Sequence, residues 1–410
     1  MAYAIAQSPQ QFQPAYNDVI FVVTDPHYVN TNYKYIATIT IGSETIKVKC
    51  YPDLTYGSGV FNIGRILETY LTSDIDKSTY SFQANTKSFK AYSVSFGHEE
   101  EFAGVITETT GEATTGTLYV WNGLVNYLPF QNYNQLSFNS SGGICLNYFN
   151  SLFTRKIKLE QDTWLYFNQT SVSNFNAARV KVYNSAGTLI RDCSVANSKN
   201  DNSNDNHHFV RFGCGTNNLN LITLLVTDYV GSGNIIASTA TRYEIYFTGL
   251  ATSSTYKWSI ETTECRYTNY RLHWLNKLGA FESFNFIKKS TTETEISRTK
   301  YKPPVGGLTS ERAYGYSVSD RGTKSFFTGM KDTLKLKSDW LNDYENILLQ
   351  SLVESPEIYI DTLDVDGVGY ELVPVTCIDS QFTTRTNLND KMFNLDLTLQ
   401  FCFDRYSQRQ

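Results

Sequence analysis

The stretch 270–287, YRLHWLNKLGAFESFNFI, decides how the chain is read. Tyr270, Leu272 and Trp274 alternate with Arg271 and His273, the period-two pattern of a half-buried strand whose polar residues face outward. Residues 276–279 end in a glycine and make a short hairpin turn. A second strand follows, with Ala280, Glu282, Phe284 and Phe286 on one face. A hairpin carrying Trp274, Phe281, Phe284 and Phe286 must cover a large surface, because each aromatic buries roughly 150–250 Å². These four are expected core or assembly residues. The hairpin is expected to act as the hinge between two all-β modules before it and a sheet with one helix after it.

Composition agrees with a mainly β chain. Among 410 residues, 14% are aromatic, with 29 Tyr and 25 Phe, and Gly, Asn, Ser and Thr punctuate the strand-forming runs. The length allows two to four domains. Only 18% of residues are charged and the net charge is -5, so the basic excess of a nucleic-acid binder is absent. No apolar run approaches a membrane span, and the start, MAYAIAQSPQQFQ, lacks the pattern of a secretory signal. Seven cysteines are scattered and form no C-x-x-C pair, which predicts free, mostly buried thiols rather than a disulfide framework or a zinc ribbon.

Three modules are expected. In the first, 1–138, strands fall at 18–24, 33–41 and 45–51, with a Gly42-Ser43 turn between the last two. A short helix at about 59–71 is predicted from Val60, Ile63, Ile66, Leu67, Tyr70 and Leu71. Glu99, Glu100 and Glu101 read as a solvated loop. In the second, 139–265, many short strands with turns between them predict a β-sandwich: 156–167, 178–183, 209–212, 219–227, 242–247 and 256–261. The polar run 197–206 cannot pack a core, and His207-His208 beside it reads as exposed.

The third module, 266–410, begins with the aromatic hairpin. The polar arm 288–307 has no apolar face, so it is expected to project without order of its own. A helix over 338–352 is expected, capped by Ser338, with Trp340, Leu341, Tyr344, Ile347, Leu348 and Leu352 on one face. It should pack on a sheet containing the final strand 393–403, whose Phe393, Leu395, Leu397, Leu399, Phe401 and Phe403 share a face. Trp340, Tyr344, Phe401 and Phe403 thus join the expected core or assembly residues. Between them, 357–363 and 368–375 read as a hairpin. Its Asp361, Asp364, Asp366 and Gly367 have the flavour of a calcium loop but lack the ligand spacing, and Asp-Gly is a strong hairpin signal, so the turn is favoured.

No G-x-S-x-G, P-loop, dinucleotide fingerprint or H-E-x-x-H occurs. His27, His98 and His273 stand alone in the sequence. The expectation is no enzyme, no catalytic residue, no cofactor and no metal.

Taken together, three quoted features carry a resemblance. They are AYNDVIFVV leading to GSGVFNIGRILETYL, RLHWLNKLGAFESFNF after a β-sandwich, and an ending that contains SDWLNDYENILLQSLVESPEIYI and VPVTCIDSQFTTRTNLNDKMFNLDLTLQF. The chain resembles the structural tail and head–tail ring proteins of crAss-like podoviruses that infect Bacteroidetes. The resemblance implies a virion component, made in the host cytoplasm, that forms a homo-oligomeric ring around the DNA conduit. Its implied partners are itself and neighbouring tail, ring or portal proteins, without sequence-specific nucleic-acid or membrane binding. A carbohydrate- or receptor-binding tail fibre or adhesin module is the alternative, since flat aromatics also stack on sugars. The absence of an internal repeat speaks for the ring.

Overall fold

The computed structural model describes residues 3–77, 80–138, 145–149, 152–169, 175–200, 205–222, 226–227, 233–249, 252–261, 266–317, 319, 322–363, 370–379 and 394–406. The chain is mainly β, with tandem sandwich-like sheets followed by a β-rich region that carries one packed helix. It divides into two units, Met1–Thr262 with Leu275–Glu282, and Thr263–Trp274 with Ser283–Gln410.

The first unit opens with strands β1 (Ala4–Gln7), β2 (Phe12–Pro14), β3 (Ile20–Thr24), β4 (Lys34–Ile41), β5 (Glu44–Cys50), β6 (Gly59–Asn62), β7 (Phe82–Ala84), β8 (Phe89–Phe102), β9 (Val105–Thr114) and β10 (Leu118–Trp121). Two short helices, α1 (Gly64–Glu68) and α2 (Tyr127–Gln131), join them. One sheet runs β1-β3-β6, and the other runs β2-β10-β8-β4-β5 with β9 added to β8. Alternating side chains from both meet in one core that includes Phe21, Val23, Tyr35, Ala37, Ile39, Phe61, Phe96 and Val120. The β4–β5 turn is as read: Gly42 takes φ +58°, which a glycine adopts freely.

The unit continues with β11 (Thr154–Ile157), β12 (Trp164–Asn168), β13 (Phe175–Asn184), β14 (Leu189–Ala196), β15 (Phe209–Gly213), α3 (Thr216–Asn220), β16 (Val226–Thr227), β17 (Ala240–Gly249) and β18 (Tyr256–Ile260). Their sheets run β11-β18-β17-β13-β14-β16 and β12-β15-β7. A second core, with Leu165, Phe167, Val180, Val182, Phe212, Tyr243, Phe247 and Trp258, fills the space between. Because β7 comes from the N-terminal stretch yet pairs with β15, the two expected modules share a sheet.

Several local expectations are corrected in this unit. The predicted helix 59–71 begins only at Gly64, since residues before it form β6 on β3. A Cβ at Gly59 would lie 2.5 Å from the Tyr35 ring, so the chain passes where only glycine fits. Asn62 Oδ1 then accepts the Val19 and Gly64 N–H groups and ends the strand. Glu99, Glu100 and Glu101 lie within β8, not in a loop. The predicted strand 156–167 is two strands in different sheets, broken where Glu160 takes φ +62°. Leu219 lies in α3, where Asn218 Oδ1 accepts the Gly215 and Thr163 N–H groups. His208 is buried against Phe12 and Tyr119, its ring 4.5 Å from that of Tyr119, and Asn197 is buried with its amide on Phe175 O.

The hairpin of β19 (Tyr270–Leu275) and β20 (Phe281–Phe286) runs across the division: its tip belongs to the first unit, its arms to the second. The second unit adds β21 (Thr291–Tyr301), β22 (Gly307–Leu308), β23 (Tyr314–Gly315), β24 (Lys324–Lys337), α4 (Asp343–Val353), β25 (Ile358–Leu363), β26 (Tyr370–Cys377), β27 (Asp396–Phe401) and β28 (Arg405–Tyr406). The large sheet runs β20-β19-β25-β26-β27-β24-β21, with β28 also on β24. The expected 357–375 hairpin is present as β25 and β26, paired out to Leu363 and Tyr370; residues 364–369, with the calcium-or-turn question, lie outside the described residues.

Here too the helix starts later than read. Ser338 does not cap it: its hydroxyl accepts the Leu395 N–H, and its own N–H donates to Leu395 O. Asn342 caps instead, accepting the Glu345 N–H while Glu345 reaches back to the Asn342 N–H. Trp340 is therefore outside the helix and 59% exposed, and Ile347 is exposed; the buried face is Asn346, Leu348, Leu349, Ser351 and Leu352. Arg271 and His273 are buried rather than turned to solvent. The Arg271 guanidinium donates to Asn285 Oδ1 and Ser283 Oγ, and His273 Nε2 lies 3.4 Å from Asp361 Oδ2.

Candidate functional site

Among the expected core residues, Trp274, Phe281 and Phe286 are buried, with Trp274 Nε1 donating to Ser351 Oγ at 2.9 Å. Phe284, Tyr344 and Phe401 are half-buried. Phe403 is exposed, because β27 ends at Phe401. The shared face of the final strand narrows to Leu397 and Leu399; Phe393 lies outside the described residues. These residues do not converge on a site. Two other places do.

The first is the arm. Most of 288–307 is ordered, against expectation: β21 pairs with β24 from Thr291↔Lys335 to Tyr301↔Lys324. Every position of β21 is exposed. Glu293 and Glu295 fall on one face, Arg298 and Lys300 on the other, so neither face is apolar. The strand is held by its ladder and by cross-strand polar pairs: Lys335 with Glu293, and Thr294 with Asp332, which Arg405 also binds. Its far end is a second small turn. Gly306 takes φ +91°, β22 pairs with β23, and Leu308, Tyr314 and Tyr316 are exposed there, the two tyrosine rings in edge contact.

The second place is a polar cluster at one end of the N-terminal core. His98 lies opposite Tyr35 in the β4–β8 ladder. Just beyond it the β8–β9 ladder bulges: two steps from Phe96 to His98 are matched by four from Ala113 to Thr109. Gly111 takes φ +78° within this bulge, and a Cβ at Gly97 would lie 2.0 Å from Thr109 O, so both glycines serve the close approach. At the bulge, Glu112 reaches His98, its Oε2 sitting 2.7 Å from His98 Nδ1. Asp25, at the end of β3, places Oδ2 3.8 Å from the same nitrogen. The Tyr33 ring stacks on His98 with centroids 5.3 Å apart, and its hydroxyl donates to Asp25 Oδ2 at 2.6 Å. The His27 N–H and ring hold Asp25 Oδ1.

Electrostatics shift two of these groups, Asp25 and Tyr33. Burial pushes the Asp25 carboxyl up, but hydrogen bonds from the His27 N–H, the Tyr33 hydroxyl and the His27 ring outweigh it and hold the group below its ordinary value. Burial, reinforced by the Asp25 carboxylate, drives the Tyr33 phenol far up, so it remains a donor. Beside the cluster, Lys34 and Lys49 both bind Glu99, and Lys47 and Lys49 bind Glu108 at 2.8 and 2.6 Å. Asp25, His98 and Glu112 each offer one ligand atom, all within 4.8 Å of one another. Sequence reading set His98 aside as solitary. The bulge glycines Gly97 and Gly111 were the available signal, but Asp25 is 73 positions away in the chain, and spacing cannot show such a meeting.

No family model matches the chain, and no curated protein matches its sequence.

Proposed function

We propose that the chain is a structural subunit that assembles with copies of itself, as a ring of a phage tail or head–tail junction. The observation that carries this reading is the arm. A strand exposed along its whole length, ending in exposed Leu308, Tyr314 and Tyr316, offers its own unit no core. Exposed aromatic and aliphatic side chains at the end of an ordered hairpin are the composition of an interface anchor. Among the described residues β21 also ends the large sheet, with no strand paired to its outer edge, the kind of edge to which another strand can add. The resemblance to tail and ring proteins supplies the virion context.

Mass photometry and negative-stain electron microscopy of the full chain test this. Closed multimers are expected, alone or on a partner ring. A variant in which residues 302–323 are replaced by a two-residue Asn-Gly turn joins Tyr301 to Lys324 across the end of the β21–β24 ladder and should lose the multimer while its circular dichroism spectrum is retained. Monomers of the wild type under every condition, including in particles that contain it, would refute the assembly role.

A further inference from the structure

We propose that Asp25, His98 and Glu112 form a binding site for a divalent transition-metal ion of the zinc class. The donor set is one imidazole and two carboxylates from three separate segments: the end of β3, the middle of β8 and the bulge of β9. Asp25 and His98 are buried and Glu112 is exposed, so the cluster reaches solvent at Glu112. Zinc–ligand bonds of about 2.0–2.2 Å place neighbouring donor atoms roughly 3–4 Å apart. The 3.8 Å between His98 Nδ1 and Asp25 Oδ2 already lies in that range. The 2.7 Å between Nδ1 and Glu112 Oε2 is shorter, as a proton between them requires. A small outward shift of Glu112 lets the ion take that proton's place.

The surroundings match what orients metal ligands. Tyr33 both stacks on the imidazole and donates to Asp25 Oδ2, and His27 fixes the other Asp25 oxygen. On the far side of the ring, Glu100 Oε1 stands 3.9 Å from His98 Nε2, beyond hydrogen-bond range but near enough for its charge to favour a metal-bound imidazole. The ladder's extra residues and Gly97 and Gly111 bring Glu112 to His98, and bulges of this kind re-aim side chains. The imidazole argues for zinc, cobalt, nickel or iron over calcium and magnesium, which take oxygen donors. Three protein ligands leave a coordination position for water.

The test uses the full chain stripped with a chelator and titrated with zinc chloride by calorimetry, with calcium and magnesium chloride in parallel. One zinc equivalent and a raised melting temperature are expected, with no heat from calcium or magnesium. His98→Gln and Glu112→Gln should each weaken zinc binding by at least about tenfold, since even outer-sphere changes cost that much. His207→Gln, which alters the other histidine-rich segment, should leave affinity unchanged. X-ray absorption of the zinc-loaded wild type should show one imidazole and otherwise oxygen donors, a readout that stands even where a variant fails to fold. No zinc binding by the wild type, equal binding by the His98 and Glu112 variants, or a spectrum with sulfur or several imidazoles overturns the assignment.

Discussion

Glu282 Oε2 and Arg155 Nη1 lie 2.9 Å apart, with the glutamate side chain fully buried and the arginine 10% exposed. Glu282 Oε1 also accepts the Tyr148 N–H and the Asn276 amide, and the guanidinium lies over the Phe149 ring. The tip of the aromatic hairpin is thereby bound into the first unit by a buried ion pair with further hydrogen bonds. Removing one member leaves the other charge buried alone, which costs about 3–5 kcal/mol. Glu282→Ala should therefore lower the urea midpoint of the full chain by that equivalent. Adding Arg155→Met should recover part of the loss but not all, because the Tyr148 and Asn276 donors still lack their acceptor. An unchanged midpoint in Glu282→Ala would remove the pair from the account of stability.

The two tryptophans of the second unit should behave oppositely. Trp274 is fully buried and bonded to Ser351, so Trp274→Ala is expected to cost about 3–5 kcal/mol. Trp340 is 59% exposed, so Trp340→Ala should stay within about 0.5 kcal/mol in the isolated chain. Chemical denaturation followed by far-ultraviolet circular dichroism separates them. A large loss at Trp340 would restore it to the core.

The helix cap makes a third comparison. Asn342→Ala removes the acceptor of the Glu345 N–H and should cost about 1 kcal/mol. Asp339→Ala, at a position the longer helix would have used in its first turn, should cost less, since α4 begins at Asp343. Thermal melts of the two variants decide between the two helix starts.

What the sequence showed, and what it hid, follows one physical line. Strands with one apolar face were legible: 178–183, Tyr256–Ile260 and the Leu397–Leu399 part of the last strand alternate as read, and Lys34–Ile41 does so except at Ile36, which is buried as well. β21 was missed because it has no apolar face; its β-branched Thr291, Thr292, Thr294, Ile296 and Thr299 were the remaining signal, outweighed by its charge. The late start of α4 was missed because Ser338 has the chemistry of a cap but spends its hydroxyl on Leu395. Glu282 was seen on its strand and His98 lay past the end of the strand as read, and what each meets comes from far along the chain, Arg155 in one case and Asp25 in the other. Alternation reports which face a residue occupies, not what arrives at that face from elsewhere.

The lysine–glutamate pairs of the N-terminal sheet predict a specific acid response. β5 and β9 are separated by β4 and β8, yet Lys47 and Lys49 both reach Glu108, so the sheet curls enough to bring its two margins together. Lys47 and then Lys49 hold the Glu108 carboxyl down from its ordinary 4.5 to about 2. A carboxyl lowered on folding binds its proton more readily in the unfolded chain, so its contribution is fully present above the unfolded value of 4.5. That contribution declines as pH falls and is gone once pH has passed below about 2, where both states are protonated. Glu108→Gln abolishes the titration. The melting-temperature difference between wild type and Glu108→Gln should thus be constant above pH 5, shrink steadily below 4.5 and approach its floor near 2. High salt should shrink the whole difference, because these side chains are partly exposed. A difference that holds constant down to pH 2 would mean that Glu108 is not ion-paired in solution and that the two margins of the sheet are not joined through it.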